Sequence, residues 1–91
     1  MNAKEAVKSA KKYISEMLAE EGIINLGLEE IERDDAKKMW NITLGFSRPW
    51  NSTGALAAIA GGAAAQRTYR TIRIREADGQ VISMTRRDPL D

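Results

Sequence analysis

Apolar residues recur at Ala3, Ala6, Val7, Ala10, Ile14, Met17 and Leu18, the i, i+3, i+4 spacing of a single buried helical stripe. Lys4, Lys8, Lys11, Lys12, Glu16 and Glu20 fall on the other faces, so the pattern predicts an amphipathic helix from Ala3 to Glu21. Asn2 followed by Glu5 has the form of a capping box, in which each side chain satisfies a backbone N–H of the first turn. Gly22 supplies a left-handed stop, and Tyr13 sits at the edge of the stripe.

Beyond Gly22 the period changes from 3.6 to 2. Trp40, Ile42, Leu44 and Phe46 alternate with Asn41, Thr43 and Gly45, the pattern of a half-buried strand. The preceding strand offers Ile24, Leu26 and Leu28. Pairing Leu28 with Ile42, Leu26 with Leu44 and Ile24 with Phe46 puts them on one face and sets Glu32 opposite Lys38. That register sends Ile31 and Met39 to the other face. A second hairpin spans Arg67 to Arg87. A three-residue loop ending at Gly79, in the left-handed conformation, pairs Ile74 with Ile82 and Ile72 with Met84. A two-residue Asp-Gly loop would mix charged and apolar groups on both faces and is rejected.

The order helix, hairpin, long connection, hairpin predicts an α+β domain: one N-terminal helix packed on a four-stranded antiparallel sheet made of two hairpins. Residues 1–91 form one domain, with a long flexible connection at about 49–66, in which Thr53 caps at most a short marginal helix. The expected buried layer sets Val7, Ala10, Ile14, Met17 and Leu18 against Ile24, Leu26, Leu28, Trp40, Ile42, Leu44, Phe46, Ile72, Ile74, Ile82 and Met84. Each large apolar side chain there is worth roughly 1.5–3 kcal/mol as an upper estimate.

Fourteen basic and thirteen acidic residues leave a formal charge of +1, which implies no global attraction to nucleic acid or membrane. The distribution is uneven: all six lysines lie at or before Lys38, and six of the eight arginines lie at or after Arg67. Cysteine and histidine are both absent, which removes disulfides, thiol nucleophiles, most zinc sites and the usual general base. Neither Asp34 and Asp35 with Glu29, Glu30 and Glu32 nor Ser47, Ser52 and Thr53 have the spacing of a metal loop or a nucleophile–base pair. No catalytic, metal or cofactor set is expected. The start, Met-Asn-Ala-Lys-Glu, has no apolar signal-peptide core, no stretch approaches a membrane span, and cytoplasmic residence is the expectation.

The spaced alanines Ala3, Ala6 and Ala10, then Trp40-Asn41-Ile42-Thr43-Leu44, then Tyr69-Arg70-Thr71-Ile72-Arg73-Ile74 and Asp78-Gly79-Gln80-Val81-Ile82 resemble the PepSY family of small domains. The similarity spans most of the chain except Pro49 to Gln66. It implies an α+β fold with no defined catalytic set, and a role as a peptidase inhibitor or binding module.

Two groups of residues then carry the functional expectation. Trp50, Leu56 and Ile59 are large apolar residues in a long connection, and must fold back or meet a partner. Tyr69, Arg73 and Arg75, with Arg87, Thr71, Ser83 and Thr85, are expected on the outer face of the last hairpin, together with Ile31, Met39 and Val81 on the sheet's second face. The resulting reading is a non-enzymatic protein-binding or regulatory module with a protein partner or a second copy of itself. The alternative is a small nucleic-acid-binding module using the Arg-rich outer face.

Overall fold

The computed structural model describes residues 1–48 and 67–87. Helix α1 (Ala3–Met17) is followed by a short 3-10 turn (Ala19–Glu21) and strands β1 (Ile24–Asp34), β2 (Met39–Ser47), β3 (Thr68–Arg75) and β4 (Val81–Arg86). The strands form one antiparallel meander in the order β1-β2-β3-β4, with the helix across one face. The expected α+β architecture is therefore present.

The helix starts where its sequence says it should. Asn2 Oδ1 accepts from the Glu5 N–H at 2.9 Å, and Glu5 Oε1 accepts from the Asn2 N–H at 2.9 Å. Ala6, Ala10 and Ile14, four residues apart, are fully buried against the sheet. Two of the three are alanines, which lets the helix axis lie close to the strands. The α-helix ends at Met17, earlier than Glu21, and Met17 is 57% exposed, so it leaves the expected core. Gly22 takes the left-handed conformation (φ 61) that closes the segment.

The central strands carry the core. Ile42, Leu44 and Phe46 of β2 and Ile72 and Ile74 of β3 are fully buried beneath the helix. Val7, Tyr13, Leu18, Ile23, Leu26, Trp40, Val81 and Met84 pack around them.

Both outer strands depart from the regular register expected of them. In β1 the pairs run Asp34↔Met39 to Glu30↔Thr43, then shift by one to Leu28↔Leu44 and Gly27↔Gly45, and shift again to Ile24↔Ser47. The extra residue at Glu29 is a β-bulge that keeps both Leu28 and Ile31 on the helix side, three positions apart. Asn25, at φ 56, marks the second irregularity. The expected pairs Leu28–Ile42, Leu26–Leu44, Ile24–Phe46 and Glu32–Lys38 are thus replaced. Glu32 faces Asn41, and Ile24 lies on the outer face opposite Ser47. Ile31 moves to the helix side, across from Ile42, while Met39 stays on the outer face as expected.

In the second hairpin Ile72↔Met84 holds as expected, but Ile74 pairs with Val81, and Ile82 is bulged out of the ladder to 42% exposure. The loop explains this. Arg75 N–H donates to the Gln80 carbonyl at 2.9 Å and Gly79 N–H to the Arg75 carbonyl at 2.8 Å, so the loop has four residues and not three. Gly79 has the expected positive φ, at 69. One extra loop residue offsets the register by one, and the bulge at Ile82 restores it in time to bury Met84. Val81 consequently lies on the helix side, and Leu28, on an edge strand, and Ile82 are too exposed to belong to the core.

The two hairpin loops are tied together. The Glu76 N–H donates to the Lys38 carbonyl at 3.1 Å, and the Glu76 carboxylate accepts from Arg33 Nη2, a salt bridge between the two turns. Arg33 also bonds Asp35 at 2.6 Å and stands over the Trp40 ring, 5.6 Å from its centroid. Partial burial pushes the Glu76 carboxyl up, but the hydrogen bond and charge of Arg33 outweigh it and hold the group below its ordinary value. The Trp40 indole N–H has no partner within hydrogen-bonding distance among the described residues, yet lies near enough to favour the same carboxylate slightly.

Two outcomes are expected. Lys38 is held at φ 55, a conformation that costs an L-residue about 1–2 kcal/mol, and Lys38→Gly should raise stability by roughly 0.5 kcal/mol after the entropic cost of Gly. A lower urea midpoint for that variant would show that the lysine side chain contributes more than its backbone costs. Because the folded Glu76 pKa is depressed, its stabilisation is complete above the unfolded value of about 4.3 and is lost as pH falls through the folded value. The stability difference between the wild type and Glu76→Gln should therefore be constant above about pH 5 and shrink on acidification. A difference that does not change with pH would remove the charge from the explanation.

Candidate functional site

The helix covers one side of the sheet, and the other side carries the remaining chemistry. Side chains directly opposed across strands share a face, so three rows can be read from the register. One row is Asp34, Met39 and Arg75; the next is Glu32, Asn41, Arg73 and Ser83; the third is Glu30, Thr43, Thr71 and Thr85. Tyr69 lies opposite Gly45 beyond them. The structure thus places the expected residues Tyr69, Arg73 and Arg75 together on this face, with Met39. Trp50, Leu56 and Ile59 lie outside the described residues, as does the long connection expected at about 49–66.

The middle of the face is lined by the small or polar residues of β2. Asn41, Thr43, Gly45 and Ser47 alternate with the core residues, and Thr43, Gly45 and Ser47 are buried although they point away from the helix. Two ion pairs reach over them. Arg67, just before β3, bonds Glu29 at 3.2 Å and the Asn25 carbonyl at 3.0 Å. Arg87, just after β4, takes both carboxylate oxygens of Glu30, at 2.5 and 3.4 Å, and lies 3.5 Å from Thr43 Oγ1. The Thr43 and Thr71 hydroxyls bond each other at 3.0 Å. These clasps link the first strand to the far end of the second hairpin across the trough left by small side chains.

Sequence reading missed the clasps. In the sequence Glu29 and Glu30 belong to an acidic run without metal-loop spacing, and Arg67 opens the second hairpin. The available signal was the run of small residues at alternate positions of β2, which leaves room for long side chains from elsewhere.

The row through Arg73 is different. Among the described residues Arg73 has no carboxylate partner, whereas Arg75 bonds Asp78 at 3.0 Å. On either side of it, Asn41 Oδ1 and Ser83 Oγ are buried without a hydrogen-bond partner among the described residues. Asn41 Nδ2 reaches Glu32 at 3.4 Å. Acidic groups therefore line the β1 side of the face (Glu30, Glu32, Asp34), and arginines the β3 side (Arg73, Arg75), two strand spacings or about 9–10 Å away. Among the described residues no three His, Cys, Asp or Glu side chains converge as metal ligands would, and no helix is long and apolar enough to cross a membrane.

A Cβ added at Gly45 would lie 2.7 Å from Arg67 Nη2, 2.9 Å from Glu29 Oε1 and 3.0 Å from Tyr69 Cε1. The crowding atoms are mostly the ends of flexible side chains, so Gly45→Ala should open the Arg67–Glu29 clasp and leave the sheet intact. Losing a surface ion pair (up to about 1 kcal/mol) is offset by removing Gly from a strand (roughly 0.5–1 kcal/mol), so net stability should change by less than about 1 kcal/mol. A double-mutant cycle on Arg67 and Glu29 should show coupling in the wild type and none in the Gly45→Ala background. Persistent coupling in that background would mean the pair does not cross over Gly45.

Comparison with protein-family models, with curated proteins and with solved structures gives no match for this chain.

Proposed function

We propose that this domain is a non-enzymatic protein-binding module that works through the open face of its sheet, and that the partner best fitted to that face is a second copy of the chain. The observation that carries this reading is the division of charge across the face: Glu32 and Asp34 on β1, Arg73 and Arg75 on β3, with Arg73 lacking a counter-charge among the described residues. Turning one copy over about an axis along β2 brings the β1 side of each sheet onto the β3 side of the other. Glu32 then faces Arg73 of the second copy, and Asp34 faces its Arg75, at the same heights along the strands. Such a surface is self-complementary, the requirement for a two-fold contact. Tyr69 contributes an aromatic ring of the kind enriched at interfaces.

The absence of Cys and His supports a binding role over a catalytic one. The resemblance to PepSY domains points the same way. The alternative, nucleic acid on the Arg-rich face, is disfavoured because Glu30 and Glu32 on that face would repel a phosphate backbone. Trp50, Leu56 and Ile59 remain candidate contributors to the same contact.

The test is a charge-reversal cycle read by sedimentation equilibrium at low salt. Glu32→Arg and Arg73→Glu each break both symmetry-related pairs of the two-fold contact and should each weaken self-association by roughly a hundredfold, about tenfold per lost pair, and the double reversal should restore much of it. The wild-type association should weaken with added salt. A protein that is monomeric at all accessible concentrations, or single variants that associate as well as the wild type, would remove the second copy as the partner.

A further inference from the structure

At the end of the sheet beyond the helix, three arginines converge on the helix side. Arg48 follows β2, Arg70 lies in β3 opposite Leu44, and Arg86 lies in β4 opposite Arg70. The α-helix has ended at Met17, and the 3-10 turn that follows it brings Glu21 to Arg48. The Arg48 and Arg70 guanidiniums stand over the buried Phe46 ring, 5.2 and 6.0 Å from its centroid. Arg48 is positioned by Glu21, at 2.7 Å, and by the Thr68 hydroxyl, at 3.2 Å. Arg70 donates one N–H to the Tyr69 carbonyl at 2.9 Å and has no carboxylate partner among the described residues. Arg86 is exposed and enters no ion pair among them.

Among the described residues Arg70 and Arg86 have no carboxylate partner of their own, and the three neighbouring cations repel one another. Burial first, and then the charges of Arg48 and Arg86, lower the Arg70 pKa, with Glu21 opposing only in part. The group stays charged at any ordinary pH, so the tension is relieved by an anion and not by loss of a proton.

We propose that Arg48, Arg70 and Arg86 form a binding site for a phosphoryl group, with Arg70 and Arg86 supplying the unused donors and Phe46, Glu21 and Thr68 holding the site open. The Arg70 and Arg86 guanidiniums, which have no carboxylate partner among the described residues, offer two positive charges to a phosphate dianion. Planar guanidinium forks suit its oxygens, and stacking on Phe46 limits the freedom that Arg48 and Arg70 lose on binding. This site is on the opposite side of the sheet from the proposed protein-binding face, so each can fail without the other.

The experiment follows the arginine side-chain N–H signals of the full chain by NMR at pH 8 and constant ionic strength, titrating inorganic phosphate and, separately, O-phosphoserine. Saturable shifts at Arg70 and Arg86 are expected with both. The relative affinities identify the natural form: tighter phosphoserine binding indicates a phosphoryl group carried on a larger molecule, and tighter phosphate binding the free ion. Arg86→Gln, an exposed substitution that leaves the core untouched, should weaken binding roughly tenfold. Arg73→Gln, on the other face, should leave it unchanged. Non-saturating shifts, equal affinity in Arg86→Gln, or malonate binding as tight as phosphate at matched charge would each overturn the assignment.

Discussion

Eight consecutive residue pairs join β2 to β3, from Met39↔Arg75 to Phe46↔Thr68, and no bulge interrupts them. Every other feature of the fold is positioned by that unbroken ladder. With side chains alternating between faces, it places Ile42, Leu44, Phe46, Ile72 and Ile74 on one side, where Ala6, Ala10 and Ile14 of the helix close over them. The same alternation places Asn41, Thr43, Gly45 and Ser47 on the other. A slip of one residue would turn one strand over relative to the other and put either the three large apolar groups of β2 or the two of β3 in water. At roughly 1.5–3 kcal/mol for each buried side chain, the register is strongly specified by burial alone.

The outer strands meet a different demand. Both β1 and β4 carry a bulge, at Glu29 and at Ile82, and both strands stand at the edges of the sheet formed by the described residues. A bulge there interrupts the regular row of unpaired N–H and C=O groups and so makes the edge a poor template for continued sheet growth. Each bulge also aims specific groups. The one in β1 sets Glu29 and Glu30 where Arg67 and Arg87 can reach them, and the one in β4 turns Ile82 outward while returning Met84 to the core layer.

The parts of this fold that follow from simple periodicity were legible in the sequence: the helix and its capping box, the four strands, the positive φ at Gly79, and the grouping of Tyr69, Arg73 and Arg75 on the outer face. What was not legible follows from broken periodicity. Leu28 and Ile31 are three apart, as are Val81 and Met84. Read with a strict period of two, one member of each pair falls on the wrong face; read with an inserted residue, both face the helix. The four-residue loop after Arg75 was equally hidden, because the hydrogen bond from the Glu76 N–H goes to Lys38 in the other hairpin, a tertiary choice that local turn chemistry does not encode. The clasps over Gly45 and Thr43 depend on contacts between residues about 40 to 57 apart in sequence.

A net charge of +1 conceals how the charges are arranged. The ladder between β2 and β3 sorts them onto two faces: carboxylates and arginines side by side on the open one, and Arg48, Arg70 and Arg86 beside Glu21 on the other, toward the helix end. At distances beyond a Debye length of about 8–10 Å these groups nearly cancel, so the domain exerts little pull on distant polyelectrolytes. Within that distance each territory keeps its own sign. Discrimination between partners then has to occur at contact, where the spacing of charges decides what fits. On the readings proposed above, a bipolar face two strand spacings wide would select a surface with the same spacing, and a compact cluster of guanidiniums a compact anion. The rigid central ladder is what lets both patterns persist, because neither set of charges can shift along the strands without moving the core residues that alternate with them.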